Sequence, residues 1–367
     1  MTSLAKAAVG AGTNLAGQFE SLFRDFNHPN APGASVLVIR EGKTLFARGF
    51  GLADLERKTP CTTNTNFRLA SVTKPFTAMA VLILADRGKL SLDERLPAFF
   101  PEFPEWGRDI TVHHLLTHTS GLMDYEDAIP SGTTLPVLDR DVLRILLKQE
   151  KPAFRPGSRF HYSNSGYAVL ALIVEARSGQ TFARFLKENI FDPLKMTGTL
   201  AYEQGSSVVP NRAFGYTVKR DSLAPSDGER ARARGSNFER TDQSLTSSVL
   251  GDGGIYSSVA DLFKWDQALY KTKLVSEGTV RVAFTPATAT DKPERSYGLG
   301  WFIGEYRGLK EIWHSGNTVG FTTRIARFPG KKFSIIILAN RTGAALDELP
   351  HRIADLVLFS TAPGAGS

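Results

Sequence analysis

The sequence predicts an α+β fold: an antiparallel β-sheet that is flanked by helices and built from both termini, with an inserted, mainly helical domain. Two observations carry this prediction. Apolar runs of strand length, separated by turn residues, stand near both ends of the chain. Apolar residues at helical spacing dominate the stretch between them, from about residue 91 to residue 204. One sheet can unite the two sets of strands only if the helices form an insertion between them.

The first elements are a helix and a β-hairpin. Apolar residues between Leu15 and Phe26 recur at helical spacing until Pro29 ends the run. Residues 34–40 are apolar enough for a buried strand, and residues 44–50 return as its partner after a short turn. We expect this hairpin to supply the N-terminal part of the sheet.

The strongest helix prediction covers residues 67–90. Ser71 suits the N-cap, Pro75 is tolerated in the first turn, and Gly88 suits the C-terminal stop. The run over residues 76–85 is apolar on nearly every face, which is typical of a buried helix rather than a half-exposed one.

The rest of the chain divides into helices, loops and strands. Further helices are predicted over residues 142–147, 168–176, 182–190 and 261–270. Residues 205–250 are rich in Ser, Gly, Arg and Asp and are predicted as long loops. Strands are predicted over residues 297–303, 312–313, 322–328 and 333–338, with a closing helix after them. The expected units are a flexible lead-in (1–14), a sheet domain (15–90 and 290–367) and a mainly helical domain with long loops (91–289).

The composition is that of a globular protein, with 42% apolar and 22% charged residues among 367. The formal net charge is +7, but Lys and Arg are spread along the chain. We interpret their densest cluster, residues 229–235, as a solvated loop, because no helix-turn-helix, zinc-finger or RNA-binding signature accompanies it. We therefore expect no nucleic-acid partner.

Cysteine usage and hydropathy bear on the compartment. Cys61 is the only cysteine, so no intramolecular disulfide can form. Residues 7–12 are too short and too small-sided for the apolar core of a secretory signal, and no apolar run reaches membrane-spanning length. We expect a cytoplasmic protein without membrane association, with a periplasmic or secreted location as the alternative. The sequence does not specify an oligomeric state.

Ser71-Val-Thr-Lys74 is the motif that points most directly to chemistry. Positions i and i+3 share one helix face, so Lys74 is expected beside the Ser71 hydroxyl. A serine hydroxyl becomes a good nucleophile when a neighbouring base takes its proton, and a lysine held neutral by its surroundings can do so. The same spacing recurs at Ser3 and Lys6, so the context and the motifs downstream single out Ser71.

Two further motifs are candidates for the same site. Tyr162-Ser-Asn164 offers a phenol, whose ionised form a nearby ammonium stabilises, and an amide that can orient a side chain or a carbonyl. His314-Ser-Gly316 offers a polar ring, neutral or charged, and a glycine that allows close backbone approach. Each motif alone also has an ordinary structural interpretation, as packing, capping or a turn.

Three features have two interpretations each. Gly251-Asp-Gly-Gly254 is either a wall of the site or a turn, and Tyr125 either lines a pocket or packs. His114 and His118 are spaced i, i+4 and could share a helix face as metal ligands. We interpret them as structural, because no third ligand accompanies them, and we expect no metal and no cofactor. No Gly-x-Ser-x-Gly occurs, which argues against an α/β-hydrolase.

Together these motifs resemble those of the penicillin-recognising serine hydrolases, and the chain is most similar to the branch of class C β-lactamases, D-alanyl-D-alanine carboxypeptidases and β-lactamase-like esterases. The resemblance runs from about Phe19 to Phe359. It rests on the order Ser-x-x-Lys, Tyr-x-Asn, His-x-Gly, with a helical segment after the first motif. It also rests on the blocks Phe67–Ser71, Leu115–Leu122, Tyr162–Tyr167, Tyr297–Trp301 and Leu338–Asn340.

The resemblance implies a serine hydrolase with its active site at the interface of the two larger units. Ser71 would attack an ester or amide carbonyl, and Lys74 and Tyr162 would jointly move the proton. Asn164 would orient Lys74 and the acyl group. The N–H groups of Ser71 and Asn317 would form the oxyanion hole. An acyl-enzyme would form and water would release it.

One residue departs from the β-lactamase pattern, because lysine stands at the position of His314 in class C β-lactamases. A histidine there weakens the demand for a substrate carboxylate. The sequence therefore favours a carboxylesterase that acts on small acyl esters, ahead of a D-amino-acid peptidase or amidase and a β-lactamase. The expected partner is a small-molecule ester or amide. A catalytically silent binding relative is the non-enzyme alternative.

Overall fold

The computed structural model describes residues 15–219 and 237–360, which form a large antiparallel sheet surrounded by helices. The strands run in chain order as β1 (Ala34–Arg40), β2 (Lys43–Phe50), β3 (Leu52–Asp54), β4 (Thr59–Pro60), β5 (Phe67–Arg68), β6 (Leu200–Ala201), β7 (Tyr216–Val218), β8 (Phe238–Arg240), β9 (Ile255–Ser257), β10 (Thr288–Ala289), β11 (Ser296–Tyr297), β12 (Phe302–Tyr306), β13 (Leu309–Thr318), β14 (Phe321–Phe328) and β15 (Phe333–Ala339).

The helices lie mainly between the two groups of sheet strands. They are α1 (15–22), α2 (Lys74–Asp86), α3 (Val112–Leu116), α4 (Asp139–Leu146), α5 (Asn164–Ser178), α6 (Phe182–Leu186), α7 (Asp192–Leu194), α8 (Leu250–Gly253), α9 (Val259–Ala268), α10 (Glu277–Ala283) and α11 (Leu349–Ala354). Short 3₁₀ turns cover Arg24–Phe26, Ala70–Thr73, Leu96–Ala98, Glu105–Gly107, Tyr125–Ala128, Leu245–Ser248 and Pro329–Lys331, and π-helical turns cover Lys187–Phe191 and Asp355–Phe359.

The central sheet unites the two ends of the chain. Its strand order is β10-β11-β12-β13-β14-β15-β1-β2, with antiparallel pairing throughout. The N-terminal hairpin joins the C-terminal strands where β1 pairs with β15, from Ala34 opposite Ala339 to Arg40 opposite Phe333. This arrangement confirms the predicted α+β fold, with a sheet built from both termini and helices around it.

Helix α2 lies at the centre of the core. Every residue from Lys74 to Leu84 is buried, because α5, α6 and α8 pack around this helix. Phe76 stacks on Trp265 of α9 with ring centroids 4.1 Å apart. The all-round apolar character of residues 76–85 therefore reflects burial on every side, as the sequence predicted.

Two local predictions were wrong in detail at the places where the site forms. Ser71 is not the N-cap of α2, because Ala70 has a positive φ of 49° and residues Ala70–Thr73 form a 3₁₀ turn before α2 begins at Lys74. The strand predicted over residues 312–313 is longer, because β13 runs over Leu309–Thr318 and pairs with β14 through Thr318. Both differences arise from contacts between distant segments.

The region predicted as long loops contains regular structure. Strands β7 and β8 pair within it, with Tyr216 opposite Arg240. The basic cluster at residues 229–235 and the lead-in at residues 1–14 lie outside the described residues. Within the described ranges, no helix combines the length and the apolar content needed to cross a bilayer.

Candidate active site

A strained turn holds Ser71 at the N-terminal end of α2. Ala70, the residue before it, adopts φ of 49°, a conformation that costs a non-glycine residue about 1–2 kcal/mol. The turn is held against the sheet, because Thr323 Oγ1 donates to the Leu69 carbonyl at 2.7 Å. Gly316 permits this contact, since a Cβ there would lie 2.2 Å from the Leu69 oxygen. The close backbone approach predicted at Gly316 is therefore its contact with the Leu69 carbonyl.

Lys74 is completely buried beside the Ser71 hydroxyl. Its Nζ donates to Ser71 Oγ at 3.1 Å, to Asn164 Oδ1 at 2.7 Å and to the Asp252 carbonyl at 3.1 Å. These three acceptors match the three hydrogens of an ammonium. In its neutral form the same amine lies within reach of the Ser71 proton, which is the geometry that a general base requires.

Tyr162 lies close to Lys74, just before α5. The Lys74 ammonium is 4.9 Å from the centroid of the Tyr162 ring. Behind that ring stands His118, with the two ring centroids 4.3 Å apart. His118 Nδ1 accepts the N–H of Ser163 at 3.2 Å, so this nitrogen is assigned as unprotonated. Burial, with the charge of Lys74, holds the pKa of His118 well below its usual value.

The sequence predicts a structural role for His118 rather than metal binding, but it does not predict this contact with the Tyr162 ring. The structure places it directly behind the Tyr162 motif, in a left-handed conformation with φ of 56°. The signal that could have pointed to it was its place in the block Leu115–Leu122, one of those that carried the family resemblance. His114 has a different role, because its Nδ1 accepts the Thr111 N–H at 3.3 Å and caps α3.

Asn164 opens helix α5 and is fixed from both directions. Its Oδ1 accepts from Lys74, and its N–H donates to Asp124 Oδ2 at 2.9 Å. The start of α5 is also bonded to the 3₁₀ turn Tyr125–Ala128, which follows Asp124 in the chain. The Tyr125 N–H donates to Ser165 Oγ at 2.8 Å. The amide of Asn164 is thus positioned before any substrate arrives.

His314 is buried and uses both of its ring nitrogens inside the protein. Nδ1 lies 2.8 Å from the Ser315 carbonyl, which can only accept, so Nδ1 is assigned the proton. Nε2 is then free to accept from the Tyr297 hydroxyl at 3.1 Å. Burial, together with the charge of Lys74, lowers the pKa of His314 to about 3. His314 is therefore neutral at physiological pH, and this position carries no cation.

A small cleft opens in front of Ser71. Its empty volume is about 300 Å³. It is lined by Arg68, Ala70, Ser71, Tyr125, Glu126, Asn164, Thr246, Asp252, Gly253, Asn317 and Thr318. Of the residues predicted for the site, Ser71, Asn164, Asn317 and Tyr125 line this cleft. Lys74, Tyr162, His314 and Gly316 are not among its lining residues.

Two of the lining residues differ in what they offer a substrate. Asn317 is exposed on β13 and lines the same cleft as Ser71. Tyr125 is fully buried, and its hydroxyl donates to Asp252 Oδ2 at 2.9 Å. The Tyr125 hydroxyl is therefore engaged with the protein rather than with the cleft. The partner, Asp252, comes from the Gly251–Gly254 segment, which forms a wall of the cleft.

Other cavities and clusters do not compete with this cleft for the predicted residues. A larger cavity of about 1090 Å³ is lined by residues such as Asp54, Arg57 and Arg212, and by none of the predicted site residues. Across residues 15–219 and 237–360, no group of three or more His, Cys, Asp or Glu side chains could hold a metal ion.

Similarity to known proteins extends over most of the chain. A family model described as Beta-lactamase matches residues 19–358. A penicillin-binding protein of Bacillus subtilis is 31% identical over 332 residues, which cover 88% of this chain and 71% of that protein. Protein flp of Staphylococcus aureus is 27% identical over 335 residues, and the chain spans only 63% of its length.

Solved structures give the same fold. An octameric penicillin-binding protein homologue from Pyrococcus abyssi superposes with a TM-score of 0.82 at 28% identity, covering 94% of this chain and 78% of that one. A D-amino acid amidase from Ochrobactrum anthropi superposes with a TM-score of 0.75 at 22% identity, covering 95% and 98% of the two chains. The second likeness concerns the fold alone.

Proposed function

This chain belongs to the β-lactamase family of serine hydrolases, and from that premise we propose that it hydrolyses small acyl esters through an acyl-enzyme on Ser71. The observation that carries the proposal is the contact of Lys74 Nζ with Ser71 Oγ at 3.1 Å, inside a site from which Lys74 has no access to water. The cleft that contains Ser71 is small, which suits a short acyl group.

The reaction follows from these positions. Lys74 and Tyr162, acting as a pair, accept the proton of Ser71 while its Oγ bonds to the ester carbonyl carbon. The resulting oxyanion is stabilised by the N–H groups of Ser71 and Asn317, each worth about 3–4 kcal/mol in the transition state. The proton then passes to the alcohol as the C–O bond breaks. Water, deprotonated by the same pair, attacks the acyl-enzyme and releases the acid.

The preference for esters rests on His314. A substrate with a carboxylate beside the scissile bond, such as a β-lactam or a D-alanyl peptide, is favoured by a cation at this position. His314 is neutral, and both of its nitrogens bond to the protein. A substrate with an uncharged leaving group therefore leaves no unpaired charge at His314.

A second candidate function is the hydrolysis of amides that carry a free amino group. Glu126 lines the cleft and is exposed, so its carboxylate is available to an ammonium on the acyl side of a substrate. This feature favours a D-amino-acid amide over a β-lactam as the alternative to an ester.

Covalent labelling tests the nucleophile. A fluorophosphonate probe should label the wild-type protein at Ser71, and Ser71→Ala should abolish labelling. Ser206→Ala, which removes an exposed hydroxyl elsewhere, is the matched control and should label normally. A folded wild-type protein that does not label would indicate a binding relative without turnover.

A substrate panel tests the class. We expect kcat/KM to be highest for a short-chain 4-nitrophenyl ester, lower for a D-phenylalanine amide, and lowest for a chromogenic cephalosporin. A cephalosporin rate above the ester rate would contradict the ester proposal while leaving Ser71 as the nucleophile. If the amide leads, Glu126→Gln should lower the amide rate and spare the ester rate.

A further inference from the structure

The cleft that contains Ser71 is polar on almost every side. Among the described residues that line it, Ala70 is the only one with a purely aliphatic side chain. The others offer hydroxyl, amide, carboxyl or guanidinium groups, or bare backbone at Gly253. An alkyl chain in such a cleft displaces water from polar groups without replacing the hydrogen bonds, and this loses affinity. The cleft therefore fits an acyl group that carries polar atoms of its own.

Arg68 is the one cationic residue among the described residues that line this cleft. It lies on β5, three residues before Ser71 in the chain, and its backbone pairs with Tyr256 of β9. The residue is only 3% exposed. A guanidinium stays charged when it is buried, so the cleft contains a positive charge that bulk water does not screen.

The protein groups that bond to this guanidinium are neutral. Nε donates to the Gly253 carbonyl at 3.2 Å, Nη2 donates to the Ser247 carbonyl at 3.2 Å, and Nη1 donates to the Ser247 hydroxyl. These bonds use only part of the N–H donors of a guanidinium. None of the three acceptors carries a charge that would balance Arg68.

The two carboxyl groups that line the cleft are not bonded to Arg68 either. Asp252 Oδ2 accepts from the Tyr125 hydroxyl at 2.9 Å. Glu126 is exposed and interacts with Arg68 electrostatically, without an ion pair between these two described residues. A buried charge that lacks a bonded counter-charge is costly, and an anionic ligand beside it removes that cost. A carboxylate is the anion whose two oxygens match the planar fork of arginine.

We propose that the acyl group of the substrate carries a carboxylate that binds Arg68, so that the protein cleaves monoesters of short dicarboxylic acids. The inference rests on the proposed function, because it names the acyl group of the same ester. The charge belongs to the acyl part, since His314 bonds within the protein through both ring nitrogens and favours an uncharged leaving group. This carboxylate only binds, and it takes no part in the bond changes at Ser71.

The experiment compares kcat/KM for two 4-nitrophenyl esters that differ in one charge. The first is the monoester of glutaric acid. The second is the ester of glutaramic acid, in which a neutral amide replaces the free carboxylate. Each rate is corrected for spontaneous hydrolysis and measured in about 0.3 M NaCl, which screens the attraction of an anion to the net charge of +7. The measured quantity is the charge ratio, defined as kcat/KM for the glutarate ester divided by kcat/KM for the glutaramate ester.

The charge ratio of the wild type should be about tenfold, because a hydrogen bond between two charged groups is worth that much or more. Arg68→Gln should lower the ratio to about one, and Arg68→Lys, which keeps the charge but loses the planar fork, should lie between. Glu126→Gln should raise the ratio, because it removes a repelling carboxylate from the cleft. Arg57→Gln is the matched control and should keep the wild-type ratio, since Arg57 is exposed and lines the larger cavity instead.

A wild-type charge ratio below about threefold would overturn the inference, and so would a larger ratio that persists in Arg68→Gln. If circular dichroism shows that Arg68→Gln does not fold, Glu126→Gln decides, and an unraised ratio in that variant refutes the role of the acyl carboxylate.

The proposed function and this inference fail in different ways. Absence of fluorophosphonate labelling in the folded wild-type protein would remove both. Labelling at Ser71 together with a charge ratio near one would remove the inference alone.

Discussion

Gly316→Ala is expected to disable the site by separating β13 from the turn that carries Ser71. The added methyl would lie 2.2 Å from the Leu69 oxygen and 3.1 Å from Ala70 Cβ. A comfortable C···O contact is roughly 3.3 Å, so the strand and the turn must move apart by about 1 Å. Because the Leu69 oxygen belongs to the backbone, no rotamer change can relieve this clash.

The magnitude follows from that displacement. A shift of about 1 Å between a nucleophile and its partners costs on the order of 10²-fold in rate. Overpacking costs about 1–3 kcal/mol of the free energy of unfolding, and a weakened Thr323–Leu69 hydrogen bond adds about 1 kcal/mol. We therefore expect a folded but less stable protein with roughly one hundredth of the wild-type activity.

Two measurements check this expectation. Urea unfolding gives the loss of stability, and the labelling rate of Ser71, measured where the variant is still folded, gives the loss of reactivity. Gly330→Ala is the matched control, because nothing lies within 4 Å of a Cβ at that turn. A labelling rate for Gly316→Ala within twofold of the wild type would refute the reasoning, since the contact between β13 and the turn would then not position Ser71.

Three further predictions test other parts of the molecule. Burial lowers the pKa of His314 to about 3, so the folded state resists protonation and the free energy of unfolding falls as the pH drops below about 6.5. When the pH is lowered from 7.5 to 4.5, the free energy of unfolding measured in urea should fall by about 2.5 kcal/mol less in His314→Gln than in the wild type. An equal fall in the two proteins would contradict this. Asp266→Ala leaves the buried Arg327 guanidinium unpaired and should lower the free energy of unfolding by about 3–5 kcal/mol. Glu105→Ala removes one partner of an exposed ion pair and should lower it by less than about 1 kcal/mol. Similar decreases in melting temperature for the two variants would disprove this contrast. Tyr162→Phe should lower kcat on an ester by more than about tenfold, since general acid–base help is worth about 10²-fold, and an unchanged kcat would remove Tyr162 from the mechanism.

Local patterns predicted much of the fold because they depend on near neighbours along the chain. The apolar run over residues 34–40 predicted β1 at the bounds that the structure has, Ala34–Arg40. The apolar run after Lys74 predicted a buried helix, and Gly88, with φ of 67°, ends it as expected. The boundary at Ser71 was missed, because a strained 3₁₀ turn is imposed by the sheet and leaves no mark in periodicity.

In the candidate site, too, local contacts could be predicted from the sequence and contacts between distant segments could not. The spacing of Ser71 and Lys74 predicts their proximity, since a single helical turn brings i and i+3 together. Asn164 and Asp252, which are 90 and 178 residues from Lys74 in sequence, reach its ammonium only through packing. The sequence left open whether Tyr125 lines a pocket or packs, and the hydrogen bond from its hydroxyl to Asp252 could not be predicted from its position in the sequence.

By itself the sequence determined the alternation of strands and helices, the residue types of the candidate site and the glycine that lets two backbones meet. Only the tertiary structure decided the proton affinities: burial lowers the pKa of His314 and of His118 and raises the pKa of Asp252. The physical reason is that conformation at one residue depends mostly on its neighbours in the chain. Its proton affinity depends on how completely distant segments remove it from water and which charges they bring beside it.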